Sequence, residues 1–178
     1  MAVSYATYER LALEDSDAQW ELVRGKLRER PPMSQVHNSI AYRLVAQLLP
    51  QLDAARFELR MNAPTLHISS GTYLIPDVAV VPNRGLTDET GLENYEDPLA
   101  FVAEVWSPST GTYDVDTKFP EYRRRGDREI WRIHPRDRTV TAWILQPDGS
   151  YTETTHRSGI ATVGSFPGVR IDMERLFE

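Results

Sequence analysis

Along the chain the apolar positions switch between helical and strand spacing, with turn residues at most of the changes. Residues 4–16 carry a short amphipathic helical pattern. Segments 19–23 and 26–30 flank Arg24-Gly25 and read as a hairpin, closed by Pro31 and Pro32. Ser34 then caps a long predicted helix in which Ile40, Leu44, Val45, Leu48 and Leu49 recur at helical spacing, with Pro50 near its end. Short strands are predicted at 57–61 and 64–68, around a turn. The β-branched run 75–81 predicts a buried strand, and 99–106 predicts another, apolar except for Glu104. The polar stretch between those two has no helical pattern long enough for a crossover, so they are expected as antiparallel neighbours. A helix follows at 116–125 with Gly126 as its C-cap. Strands at 129–134 and 140–146, a Pro147-Asp148-Gly149 turn, a short strand near 169–171 and the apolar Leu176-Phe177 complete the pattern. No repeat, low-complexity tract or linker interrupts it, and 178 residues predict one α/β domain, residues 1–178.

Composition narrows the picture. With 40% hydrophobic and 26% charged residues the chain has the make-up of a folded domain and not of a disordered one. No apolar run approaches the roughly 20 residues of a membrane span. The first residues show no basic start followed by an apolar core, so the expected location is cytoplasmic. The absence of cysteine excludes disulfides, thiol nucleophiles and thiolate metal sites. A net charge of −6 argues against a protein that merely coats nucleic acid, because such binding relies on neutralising phosphates. The charge is uneven, however. Residues 118–138 hold eight bases against four acids, and 85–97 hold five acids and no base. The basic segment, with Arg123, Arg124, Arg125 and Arg128 at its centre, reads either as a phosphate-facing patch or as a solvated helix face.

Several chemistries are absent. No GxG arrangement supports a dinucleotide or phosphate loop, no GxSxG elbow surrounds Ser107 or Ser109, and the four histidines lack HExxH spacing. What remains is charge placed where charge is costly. Asp77 follows Pro76 at the head of an apolar run, and Glu104 interrupts another. A buried carboxylate needs an ionic partner or a metal. Two of them on neighbouring strands suit a hard cation such as Mg²⁺ or Mn²⁺, while the structural alternative has Asp77 capping a turn and Glu104 paired with an arginine. Lys118 lies 14 residues after Glu104, flanked at four-residue spacing by Asp114 and Tyr122. It is either a third member of the site or a surface lysine.

The order Pro76-Asp77, Glu104-Val105-Trp106-Ser107-Pro108-Ser109-Thr110, Asp114-x-x-x-Lys118-x-x-x-Tyr122-x-x-x-Gly126 and Glu129-Ile130-Trp131 resembles the Uma-type family of restriction endonucleases, within the PD-(D/E)XK nuclease superfamily. The early Glu21-Leu22-Val23-Arg24-Gly25-Lys26-Leu27, the position of His37, and the closing Phe166-Pro167-Gly168-Val169-Arg170-Ile171-Asp172 are similar to that family as well. The resemblance covers roughly residues 5–178.

It implies a restriction-endonuclease-like core: a mixed central β-sheet flanked by helices, preceded by the N-terminal helix and hairpin, with the site at one sheet edge. Asp77 and Glu104 would bind the metal, helped by the backbone carbonyl of Val105. In the superfamily's usual motif the lysine stands two residues after the acid. Here that residue is Trp106, so the role passes to Lys118 on the next helix, as in this family. Pro120 conflicts with Lys118 lying inside that helix unless the helix begins near Phe119. Glu21 and His37 are secondary candidates, either as metal ligands or as partners of the ligands, the alternative for each being a structural role. The function expected is metal-dependent hydrolysis of DNA phosphodiester bonds by a homodimer. The alternatives are a non-catalytic nucleic-acid-binding or assembly module on the same fold, and a metal-dependent hydrolase of a small phosphorylated substrate.

Overall fold

Runs that are apolar at every position require a sheet covered on both faces. The computed structural model, which describes residues 2–63, 65–85, 91–109 and 111–178, has this arrangement. The N-terminal part comprises α1 (Tyr5–Glu14), β1 (Trp20–Val23), β2 (Lys26–Glu29) and α2 (Gln35–Leu48). Next come β3 (Phe57–Met61), β4 (Thr65–Ser69), β5 (Thr72–Leu74), β6 (Val78–Pro82), β7 (Asn94–Tyr95) and β8 (Phe101–Val105). A helical segment follows: α3 (Gly111–Tyr113), a π-helical turn Asp114–Lys118 and α4 (Phe119–Arg125). The chain continues through β9 (Glu129–His134), β10 (Thr139–Leu145), β11 (Tyr151–His156), β12 (Ile160–Thr162), β13 (Arg170–Asp172) and α5 (Met173–Leu176).

Six strands form the larger sheet in the order β11-β10-β9-β8-β6-β3, five form a smaller one in the order β2-β1-β5-β4-β7, and β12 pairs with β13. The larger sheet is mixed. β8 and β9 are parallel, joined by the helical segment as a crossover, and the other neighbours are antiparallel. On one face Val78 and Val80, Phe101, Ala103 and Val105, and Trp131 and Ile133 pack against Ile40 and Leu44 of α2 and against the C-terminal segment. The alternate residues Ala79, Val81, Val102 and Ile130 face Phe119 and Tyr122 of α4, together with Leu66 and Leu74 of the smaller sheet. Period two is therefore present in space and hidden in sequence. Among the described residues no helix is long and apolar enough to cross a membrane.

Most predicted elements form, including the Ser34 cap, whose Oγ accepts from His37 N at 3.2 Å. Several details differ. The strand predicted over 75–81 starts later: residues 75–77 are outside any strand, β6 begins only at Val78, and the unpredicted Thr72–Leu74 before them belongs to the smaller sheet. Pro76 lacks the N–H a ladder needs, so pairing lapses there and the chain passes from one sheet to the other at Asp77. The two strands predicted around the turn after Met61 lie in different sheets, and Pro64 is outside the described residues. The unpredicted β11 is polar because its side chains are largely exposed at the sheet's edge. The helix predicted at 116–125 starts earlier, at Gly111, and resolves the proline conflict through the π turn, where Phe119 N donates to Asp114 O. That wider turn breaks the ordinary register just before Pro120, which then sits in the first turn of α4.

Helical structure can begin at Gly111 only because that residue has no side chain. A Cβ there would fall 1.9 Å from Trp106 Nε1. Trp106 in turn stacks on His134, ring centroids 4.3 Å apart. Gly111→Ala is expected to push the indole off His134 and cost about 1–3 kcal/mol of stability. A urea midpoint and tryptophan emission identical to wild type would contradict this.

Candidate active site

The site follows from strand register. In the antiparallel pair β6–β8, Val78 lies opposite Ala103 and Val80 opposite Phe101. The same register carried one residue further sets Asp77 against Glu104. The backbone N–H of Val105 donates to Asp77 Oδ2 at 2.8 Å, fixing the carboxylate at the strand end. By alternation Glu104 shares the face of Val102, which α4 covers. Lys118 and Tyr122 approach from that side: Lys118 Nζ donates to Glu104 Oε1 at 3.0 Å, and the Tyr122 hydroxyl donates to the same oxygen at 2.5 Å.

The smaller sheet closes the site through β1. Glu21 Oε1 lies 3.0 Å from Lys118 Nζ and accepts from Ile75 N at 2.9 Å, while its Oε2 accepts from the Tyr113 hydroxyl at 2.9 Å. Lys118 Nζ also donates to Ile75 O at 2.7 Å, so all three ammonium protons have acceptors. Asp77 is held from the other side. Arg30 Nη2 donates to its Oδ1 at 2.7 Å, and His37 Nε2 lies 2.8 Å from its Oδ2. An ionised carboxylate only accepts, so His37 Nε2 carries the proton. Arg28 stacks over the Tyr113 ring, 3.1 Å from its centroid. Glu21, Arg28, Arg30, His37, Asp77, Glu104, Asp114 and Lys118 line one cleft whose interior space is about 20 Å³, room for roughly one water.

These groups set one another's charge. Burial pushes the Glu104 carboxyl well above the usual range; Lys118 opposes this, and Asp77 and Asp114 add to it. Burial also acts on Asp77, but the hydrogen bond and charge of His37, then Lys118 and Arg30, outweigh it and hold that carboxyl below its usual value. For Lys118 burial would favour the neutral amine, yet Glu104 and Glu21 prevail and hold its pKa above that of an ordinary lysine. The lysine is a permanent cation here.

The structure brings Asp77, Glu104 and Lys118 together, and gives Glu21 and His37 direct contacts with them. The Val105 backbone is at the site through its N–H. The arginine cluster is elsewhere: none of Arg123, Arg124, Arg125 and Arg128 lines the cleft. Arg123, Arg124 and Arg128 are exposed, Arg123 lying over Trp143 and Arg124 against Glu121. Arg125 is different. Its side chain is 2% exposed and lies beside Asp127, whose carboxyl burial pushes up to about 6, so it serves the fold rather than a phosphate. In the acidic segment 85–97, residues 86–90 are outside the described part, as is Thr110 of the Ser-Pro-Ser-Thr stretch. Glu93 there is paired with Arg60. Sequence reasoning missed Arg30, an arginine at a strand end with no local signal. It also missed Tyr113, whose distance from Glu21 along the chain conceals the bond between them.

The cleft suits a hard cation in one particular mode. Four carboxylates line it against Arg28, Arg30 and Lys118. Among the described residues both hydrogen bonds to Glu104 fall on Oε1, leaving Oε2 for another ligand. No group of three or more His, Asp or Glu side chains among the described residues is gathered to hold a metal by itself. Mg²⁺ rarely uses such a cage, relying on one or two carboxylates together with waters and substrate phosphates. Asp77 and Glu104 fit that mode.

Comparison with known proteins agrees with the fold. Among solved structures the chain is similar to one described as a "putative nuclease belonging to DUF820" from Anabaena variabilis, with 18% identity, a TM-score of 0.73 and 92% of each chain covered. At that identity the likeness carries the fold alone. No match is found among curated proteins. The family model described as "Putative restriction endonuclease", Uma2, matches residues 5–174. The segments carrying the site, from Glu21 through Asp77 and Glu104 to Lys118, all lie within that match, and the chain belongs to the Uma2 family.

Proposed function

We propose that the protein is a divalent-cation-dependent endonuclease that hydrolyses phosphodiester bonds in DNA. The observation that carries this reading is the convergence of Asp77 and Glu104, from neighbouring strands, with Lys118 from the following helix, in a chain of a restriction-endonuclease family. Asp77 and Glu104, with the Val105 carbonyl, would hold Mg²⁺ or Mn²⁺. Such an ion, when bound, lowers the pKa of its water and polarises the scissile phosphate.

The chain's own groups have separable tasks. Lys118, saturated by acceptors and held as a cation, supplies fixed positive charge beside the negative charge that develops on the phosphate, and does not accept a proton. Tyr122 and Lys118 orient Glu104, and His37 with the Val105 N–H orients Asp77. Exposed Arg123, Arg124 and Arg128 offer contacts to phosphates, which position a duplex without reading its bases. A homodimer with two symmetric sites is the simplest arrangement for cutting both strands.

A second reading, a nucleic-acid-binding or assembly module without turnover, is favoured by the closed cleft. Its interior admits about one water, and Arg30 already pairs with Asp77 and Lys118 with Glu104 and Glu21. Incubation of supercoiled plasmid with wild type and Asp77→Ala, in Mg²⁺ and in Mn²⁺, separates the two. Nicking by wild type that vanishes in Asp77→Ala and with chelator is the expected result. No nicking in either metal, with Mn²⁺ affinity indifferent to Asp77→Ala, would favour the module.

A further inference from the structure

Arg30 is the cation that the chemistry above leaves unused. It lies just past β2 and before Pro31 and Pro32, and its side chain is 8% exposed. Nη2 donates to Asp77 Oδ1 at 2.7 Å and to Asn62 Oδ1 at 3.2 Å, while Nη1 donates to Gln19 Oε1 at 2.7 Å. The partners that aim it are themselves tied together. Gln19 Nε2 donates to Asn62 O at 2.9 Å, and Asn62, with a left-handed backbone at φ 51, donates its N–H to Asp77 O at 3.1 Å. Residues from three separate segments thus hold one guanidinium against one oxygen of the carboxylate read above as a metal ligand.

We infer that Arg30 is the resident counter-ion of Asp77, and that a divalent cation takes Asp77 by displacing it. The inference rests on the reading of Asp77 as a metal ligand. Its physical basis is that a buried carboxylate without a paired charge is strongly destabilising. Asp77 stands in register with Glu104, and Lys118 is already shared between Glu104 and Glu21. Without Arg30 the two strand carboxylates would face each other with His37 and the Val105 N–H as the direct partners left to Asp77. Arg30 therefore makes the metal-free site stable and makes cation binding a competition. The apparent affinity for the cation is lowered by a factor set by the strength of the Arg30–Asp77 pair.

Competition predicts an unusual sign. Loss of an arginine that merely ties segments together would leave metal affinity unchanged or weaken it, whereas loss of a competing cation strengthens it. The experiment is calorimetric titration of Mn²⁺ into wild type, Arg30→Met, Arg30→Lys and Asp77→Asn, with thermal unfolding of each with and without Mn²⁺. Arg30→Met is expected to bind Mn²⁺ at least about tenfold more tightly than wild type. Its Tm should be lower than wild type without Mn²⁺ and should rise more when Mn²⁺ is added. An affinity equal to or weaker than wild type would overturn the inference. Should Arg30→Met not fold, Arg30→Lys decides. It keeps the charge but loses the fork held by Gln19 and Asn62, so a few-fold gain is expected and no gain counts against displacement. Asp77→Asn separates this failure from failure of the metal reading. If Asp77→Asn binds Mn²⁺ as well as wild type, or if neither wild type nor Arg30→Met binds it, the metal reading falls. If Asp77→Asn loses Mn²⁺ and Arg30→Met gains nothing, only the counter-ion role falls.

Discussion

Replacing Lys118 by methionine is expected to lower the unfolding free energy by about 3–5 kcal/mol. That is a large share of the roughly 5–15 kcal/mol by which a domain is stable. The side chain is 3% exposed, and each of its protons is donated to a buried acceptor: Glu104, Glu21 and the Ile75 carbonyl. Methionine has similar length but leaves Glu21 and Glu104 without the cation between them. The loss has a defined pH dependence. Burial already holds the Glu104 carboxyl well above the usual carboxylate range, and removing the opposing charge of Lys118 raises it further. A carboxyl whose folded pKa exceeds its unfolded one binds more protons when folded, so its contribution to stability is lost as pH rises from the unfolded value through the folded one. The deficit of Lys118→Met should therefore shrink in mildly acidic buffer and widen in mildly alkaline buffer. Urea unfolding followed by circular dichroism under the two conditions measures both effects. A cost below about 1 kcal/mol at neutral pH, the scale of an exposed pair, would mean that the buried network does not form.

Glu104→Gln should separate stability from activity in the opposite sense. Burial favours the neutral form of this side chain, and a glutamine carbonyl can still accept from Lys118 and Tyr122 at the position of Oε1. Its amide nitrogen would take the place of Oε2, which has no hydrogen bond among the described residues. Stability is accordingly expected to stay within about 1 kcal/mol of wild type. What glutamine removes is the negative charge and the second oxygen that a hard cation needs, so metal-dependent plasmid nicking should fall at least about 100-fold. Nicking retained at wild-type rate by a folded Glu104→Gln would remove this carboxylate from the chemistry. A variant that is both unfolded and inactive would show that Lys118 and Tyr122 need the charge itself.

The two substitutions probe the same ion pair from its two ends, and the asymmetry between them comes from position. Lys118 is shared by two acids, so its loss exposes both. Glu104 has burial against its charge, so its loss as a charge is cheap for folding.

Three residues of the candidate site were legible in the chain itself. A carboxylate at the head of one apolar run and another inside a second run are visible as local contradictions of burial, and Lys118 stood out by its spacing from Glu104, Asp114 and Tyr122. The Ser34 cap and the Gly126 stop were equally local, because a cap and a positive-φ residue each act within a few residues, and the antiparallel pairing of β6 with β8 followed from a connection without a helical pattern. Strand boundaries were less legible near Pro76: the proline interrupts the ladder, but no residue marks that the strands on its two sides join different sheets. The polar β11 escaped notice because an edge strand has little apolar signal to offer.

Tertiary structure decided the rest. Arg30 meets Asp77 across 47 positions of chain, and Tyr113 meets Glu21 across 92. Which distant cation or hydroxyl satisfies a buried acid depends on how the two sheets close on each other, and that is a property of packing rather than of any window of sequence. The π turn that admits Pro120 while Lys118 reaches Glu104 is of the same kind. The amino-acid pattern determined that two buried acids would need partners, because the cost of isolated charge is a local fact. Only the folded arrangement determined which those partners would be: Arg30 and His37 for Asp77, Lys118 and Tyr122 for Glu104.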